Sequence, residues 1–98
     1  MMEVRKTDVF VRWLDGLRDA AGRARVLVRI ERLAAGNPGD VAPVGEGVSE
    51  LRIPYGPGYR VYFKQQGQRL VILLAGGNKS TQATDIKVAL RLARSLEE

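Results

Sequence analysis

The sequence predicts an α+β domain with helices packed on a small antiparallel sheet, in the order β-α-α-β-β-β-α. Three observations carry this expectation. Apolar residues in the first half recur at helical spacing, from Val48 onward the period falls to two, and beyond Ser80 the helical spacing returns. The 98 residues leave room for a single domain, 1–98, and 45% hydrophobic with 28% charged residues is the mixture of a chain that folds.

Met2 to Arg5 reads as a short strand. Thr7 follows as a helix cap, with Asp8 in the first turn where the helix dipole favours a carboxylate. Phe10, Trp13, Leu14 and Leu17 then form one apolar stripe of an amphipathic helix. Asp19 caps a second helix that carries Val26, Leu27, Ile30, Leu33 and Ala34, and Gly36-Asn37-Pro38-Gly39 stops it. Leu51 and Ile53 alternate with Glu50 and Arg52, and Tyr59, Val61 and Phe63 alternate with Arg60, Tyr62 and Lys64, so each run is a strand. Pro54-Tyr55-Gly56-Pro57-Gly58 joins them as a hairpin loop, and Gln66-Gly67-Gln68 makes a second turn. The unbroken apolar run from Leu70 to Leu74 reads as a strand covered on both faces. Gly76-Gly77-Asn78 is read as a sharp turn, after which Ser80 or Thr81 caps a last helix carrying Ile86, Ala89, Leu90, Ala93 and Leu96.

Charge and composition narrow the function. The chain contains neither Cys nor His, which removes disulfides, thiol nucleophiles, thiolate metal sites and the commonest general base. No acidic pair has metal-cage spacing, and neither Gly56-x-Gly58 nor Gly76-Gly77 forms a phosphate-loop fingerprint, so no cofactor is expected. Met1 to Lys6 lacks the apolar core of a signal peptide, and Leu70 to Ala75 is too short to span a bilayer, so a soluble protein with no membrane partner is expected. The net charge of +5 is uneven, being +1 over residues 1–49 and +4 over residues 50–98. Between Leu51 and Thr84 stand five bases and no acid, which favours a phosphate polyanion as ligand over a merely solvated face.

Strand alternation sharpens that expectation. With Val61 and Phe63 in the core, Arg60, Tyr62 and Lys64 project to the other face, as does Arg52 on the preceding strand. Lys79 falls at the end of the sheet. Arg52, Arg60, Lys64 and Lys79 are therefore expected to converge with Tyr62 and with Tyr55 or Tyr59, cations gripping phosphate and a tyrosine stacking on a base of single-stranded RNA. The plainer reading of Tyr59 and Tyr62 is that they are good strand formers. RNA also offers its own nucleophile: the 2′-hydroxyl attacks the adjacent phosphate if the protein aligns it and stabilises the developing charge. Arg60 and Lys79 suit the second task, and Lys79 or Tyr62 would remove the proton only with a strongly lowered pKa.

The run Glu50-Leu51-Arg52-Ile53 with Tyr55-Gly56-Pro57-Gly58-Tyr59-Arg60-Val61-Tyr62-Phe63, followed by Leu73-Leu74-Ala75-Gly76-Gly77-Asn78-Lys79-Ser80-Thr81-Gln82 and Asp85-Ile86, resembles the RelE/ParE toxin superfamily, and within it the HigB-like addiction module killer subgroup. The resemblance covers nearly the whole chain. It implies a RelE-like fold, a cytoplasmic bacterial type II toxin, and a neighbouring helix-turn-helix antitoxin that silences it and carries the complex to operator DNA. It also implies cleavage of mRNA on the ribosome by the 2′-hydroxyl route, with Arg52, Arg60 and Lys79 at the places of the catalytic residues; beside them, the strand reading leaves Tyr55, Tyr59, Tyr62 and Lys64 to bind RNA. Relatives often carry a Lys near the place of Glu50 and a Tyr or His near Asp85. ParE-like relatives instead poison DNA gyrase without cutting RNA, and a non-toxic basic RNA-binding module is the third reading.

Overall fold

A computed structural model describes residues 1–96. The chain runs β1 (Glu3–Lys6), α1 (Asp8–Asp15), α2 (Ala20–Ala34), β2 (Val41–Gly45), β3 (Val48–Ile53), β4 (Tyr59–Gln66), β5 (Leu70–Asn78), a 3₁₀ turn (Lys79–Thr81) and α3 (Gln82–Ser95). The strands form one mixed sheet in the order β1-β5-β4-β3-β2. β1 pairs parallel with β5 and every other pairing is antiparallel.

The α+β class expected from the sequence is correct, but the sheet has a fifth strand and one parallel edge. The unforeseen strand is β2, whose sequence Val-Ala-Pro-Val-Gly carries no clear strand signal. Its Pro43 is tolerated because β2 lies at the sheet edge, where one side of the backbone has no ladder partner. The register slips between Pro43 and Gly45, and Glu46 and Gly47, both at positive φ, close a tight hairpin into β3. Both oxygens of Glu46 accept from the Arg94 guanidinium of α3, at 2.9 and 2.6 Å, which holds the hairpin tip against that helix.

The sheet is covered on both faces. Phe10, Leu14, Val26, Ile30 and Leu33 of α1 and α2 pack on Leu51, Ile53, Tyr59, Val61, Phe63, Val71 and Leu73. Ala89 and Ala93 of α3 pack on Val48, Tyr62, Ile72, Leu74 and Ala75 of the opposite face. β5 supplies residues to both clusters, as its continuous apolar run requires. The expected helix caps are in place: Thr7 Oγ1 accepts from the Phe10 amide at 3.1 Å and Asp19 Oδ1 from the Gly22 amide at 3.0 Å.

Two local readings need correction. Gly76 and Gly77 are not a turn; they lie inside β5. A Cβ at Gly76 would collide with the Trp13 ring and one at Gly77 with the Asp85 carboxylate, so both glycines let α1 and α3 approach the strand closely. Thr81 holds the N-cap position of α3 as expected, but its side chain makes no capping bond there. The side-chain cap lies one turn earlier, on the 3₁₀ turn, where Asn78 Oδ1 accepts from the amides of Ser80 and Thr81 at 2.9 and 3.2 Å and Thr81 Oγ1 accepts from the Asn78 amide at 3.2 Å. No helix among the described residues is long and apolar enough to cross a membrane.

Candidate functional site

The continuous β3–β4 register sets Arg52 opposite Arg60, Glu50 opposite Tyr62 and Val48 opposite Lys64. All six belong to the sheet face that α3 covers. Two arginines directly across a sheet repel one another, and a third group on that face must answer them. Glu50 does so, two residues before Arg52 on the same strand. Its Oε1 accepts from Arg52 Nε at 3.0 Å and from Arg60 Nη1 at 3.1 Å, while its Oε2 accepts from the Tyr62 hydroxyl at 3.0 Å and from Gln82 Nε2 of α3 at 2.7 Å. The carboxylate is only 1% exposed. Burial pushes its pKa up, but the hydrogen bonds from Arg52, Gln82 and Tyr62 with the charge of Arg60 outweigh that, so Glu50 titrates below the usual carboxylate value. The bond to Glu50 in turn raises the Arg52 pKa and keeps that guanidinium charged.

Arg52 and Arg60 together line a cleft of about 100 Å³ with Asp40, Ile53, Pro54 and Gly58. At roughly 30 Å³ per water this volume suits a phosphate-sized group, and it lies well below the several hundred Å³ of a typical small-molecule pocket. Their exposures differ: the Arg52 side chain is 42% accessible and that of Arg60 14%. Asp40 stands 3.9 Å from Arg52 Nη1. Arg29 of α2 donates to the Arg52 carbonyl at 2.6 Å and to the Pro38 carbonyl at 3.0 Å, fixing the loop before β2 against β3. Lys79 opens the 3₁₀ turn with its side chain exposed. Its amide donates to the Pro57 carbonyl at 3.4 Å, and its Cβ faces Gly58, so the end of β5 abuts the β3–β4 loop. Arg52, Arg60 and Lys79 thus lie at the same end of the sheet, the two arginines at the cleft and Lys79 beside Gly58 on its edge.

The other expected partners lie elsewhere. Lys64 shares the face of Arg60 but sits four residues along β4, about 13 Å away at strand rise, beside the β2–β3 turn where its charge acts on Glu46. Tyr62 is on the expected face yet fully buried under α3, so its ring has no surface for a base. Burial, its hydrogen bond to Glu50 and the negative charges of Glu50 and Asp85 raise the Tyr62 pKa far above that of a free phenol, with Arg60 opposing weakly. The strongly lowered pKa that Tyr62 would need to remove the proton is therefore absent: the phenol is shifted the other way and is no base. Tyr59 points to the opposite face, 6% exposed, its hydroxyl donating to Asp19 Oδ2 at 3.1 Å and its ring edge-on to Trp13. Tyr55, half-buried, lies on that same opposite side under the Arg25 guanidinium, 4.4 Å from its ring centre.

Local charge also differs from the expectation. The window from Leu51 to Thr84 holds no acid, but Asp40 and Glu50 precede it, and the fold brings Glu50 to both arginines and Asp40 to Arg52. Sequence reasoning passed over Glu50, Asp40 and Gln82. Strand alternation was the available signal for Glu50, which shares a face with Arg52, whereas nothing in the sequence places Asp40 or Gln82. Among the described residues no three carboxylates or other ligating groups gather to hold a metal ion.

The model of the family described as "Phage derived protein Gp49-like (DUF891)" matches residues 12–96, which span every residue of this site. The chain belongs to that family. A relative in Haemophilus influenzae, described as "Uncharacterized protein", is 48% identical over 95 residues, 97% of this chain and 96% of the relative. The likeness to that relative thus extends over both helical layers and the whole sheet.

Proposed function

We propose that this Gp49-like protein is the toxin of a bacterial type II toxin–antitoxin system, acting in the cytoplasm on mRNA held by the ribosome. Family membership supports the toxin role, because Gp49-like proteins form a RelE-like family of such toxins. The observation that carries the chemistry is the pairing of Arg52 and Arg60 at one small cleft, with Lys79 at its end of the sheet. In this reading Arg52 and Arg60 grip the scissile phosphate and Lys79 neutralises charge that develops as the 2′-hydroxyl attacks and the 5′-oxygen leaves. Alignment of the RNA comes from the ribosome, which offsets the lack of an exposed tyrosine platform. Lys64, about 13 Å along the strand, takes a phosphate further along the same RNA. A helix-turn-helix antitoxin encoded alongside binds the toxin, silences it, and brings the complex to operator DNA. The +5 net charge of the toxin chain supports attraction to ribosomal RNA.

Programmed ribosomes incubated with the purified protein test this reading. Cut message ending in a 2′,3′-cyclic phosphate and a 5′-hydroxyl is the expected product. Ends bearing a 5′-phosphate, or message left whole, would overturn it.

A second reading has its own observation. The two arginines are matched by two carboxylates and the tyrosine rings are buried or turned away, an arrangement that suits a non-nuclease, ParE-like gyrase poison as well as a ribonuclease. Double-strand DNA breaks with intact message in arrested cells would favour it.

A further inference from the structure

Glu50 stands at the centre of this site and the catalytic reading gives it no task. A buried carboxylate among cations has two possible consequences for an anionic ligand. As a competitor it occupies the guanidinium donors and subtracts charge. As a buttress it holds the guanidiniums in place and leaves donors to spare. The hydrogen bonds decide between them. Each guanidinium has five N–H groups, and Glu50 Oε1 engages one nitrogen of each, Nε of Arg52 and Nη1 of Arg60. Nη2 of Arg52 and both Nε and Nη2 of Arg60 remain for a ligand, as does Arg52 Nη1, which faces Asp40 only at 3.9 Å, on side chains that line the same cleft. The carboxylate is itself held from beneath by Tyr62 and from α3 by Gln82, so its position is fixed by two elements besides its own strand. Without it, two like charges facing each other across the β3–β4 pair would splay apart.

We propose that Glu50 is a positioning residue: its carboxylate holds Arg52 and Arg60 side by side so that their remaining donors grip one phosphodiester. The proposal deepens the RNA-cleaving reading and rests on it for the identity of the ligand. It makes a prediction whose sign opposes simple Coulomb reasoning. Neutralising a carboxylate beside two arginines adds net positive charge and should tighten RNA binding if charge alone mattered. If Glu50 acts by positioning, the same change weakens it.

The test measures the affinity of the full chain for a single-stranded oligoribonucleotide with 2′-O-methyl riboses, which binds but has no free 2′-hydroxyl to attack. Glu50→Gln keeps the side-chain size and is expected to bind about tenfold more weakly than wild type, with an unchanged circular dichroism spectrum, and to lower kcat on programmed ribosomes more than it raises KM. Gln82→Met leaves every charge in place and removes only the α3 bond to the carboxylate; a smaller loss, about threefold, is expected. Should Glu50→Gln fold poorly, Gln82→Met alone carries the test. Unchanged or tighter binding by the folded variants would overturn the positioning role, as would a wild-type protein with no affinity for the oligonucleotide. Wild-type protein that binds it, loses affinity in the variants and leaves ribosomal message whole would support the role of Glu50 while overturning the nuclease reading.

Discussion

Taking a carboxylate out of water costs several kcal/mol unless its lone pairs find donors, and Glu50 finds four, two of them from guanidiniums. The folded state therefore depresses its pKa, and linkage follows with a definite sign. The stabilisation is fully present above the ordinary carboxylate value of 4.5 and is lost as pH falls through the lower folded value. Urea denaturation as a function of pH should show stability declining below pH 4.5, with a shallower decline in Glu50→Gln; Glu46, also lowered by its bond to Arg94, keeps its own share. Equal slopes in wild type and variant would contradict this. Tyr62 belongs to the same network. Tyr62→Phe removes a buried donor to a charged acceptor and is expected to cost about 1.5–3 kcal/mol by urea denaturation, with no change in the alkaline limb of activity, since a phenol with a raised pKa is not the titrating base. The face that Tyr62 occupies was legible from period-two alternation. Its burial was not, because alternation says which way a side chain points and not whether a helix will cover it.

Among the elements, those with strong local signals were legible. Thr7 and Asp19 mark both N-termini of the helical hairpin, the apolar stripe beginning at Phe10 marks its buried side, and the unbroken run in β5 announces a strand covered twice. β2 was missed because Pro43 and Gly45 suppress the strand signal, and pairing with β3 at an open edge overrides a poor local propensity. Gly76 and Gly77 were misread because glycine has two uses that a sequence does not separate, a turn and a close approach. Substitution separates them. Gly76→Ala drives a methyl group into the Trp13 ring of α1 and is expected to lower stability by about 2–3 kcal/mol, measured by chemical denaturation. A neutral result would mean that α1 does not sit where the strand requires a bare backbone. Exposed Gln68→Ala in the β4–β5 turn serves as the comparison, within about 0.5 kcal/mol of wild type.

For the molecule as a whole, a five-stranded mixed sheet with helices on both faces brings Arg52, Arg60 and the start of the 3₁₀ turn to one end, and sends Tyr55 and Tyr59 to the opposite face. The cationic character of the second half was visible in the sequence. Its partial cancellation was not, since Asp40 comes from a segment that carries no strong local signal and meets Arg52 only through the β2–β3 pairing. A long-range contact of this kind leaves no trace in periodicity. The proposed toxin role predicts growth arrest when this chain is expressed alone, relieved by Arg60→Ala or Lys79→Ala in protein that still folds. Persistent arrest with either variant would place the toxic surface elsewhere.

The central claim, that the arginine pair takes the phosphate of a translated message, is tested most directly by mapping transcript 5′ ends in cells induced for wild type and for Arg60→Ala. New ends inside coding regions with wild type, vanishing with Arg60→Ala at equal protein level, are the expected result. Arrested cells whose messages remain intact would contradict it.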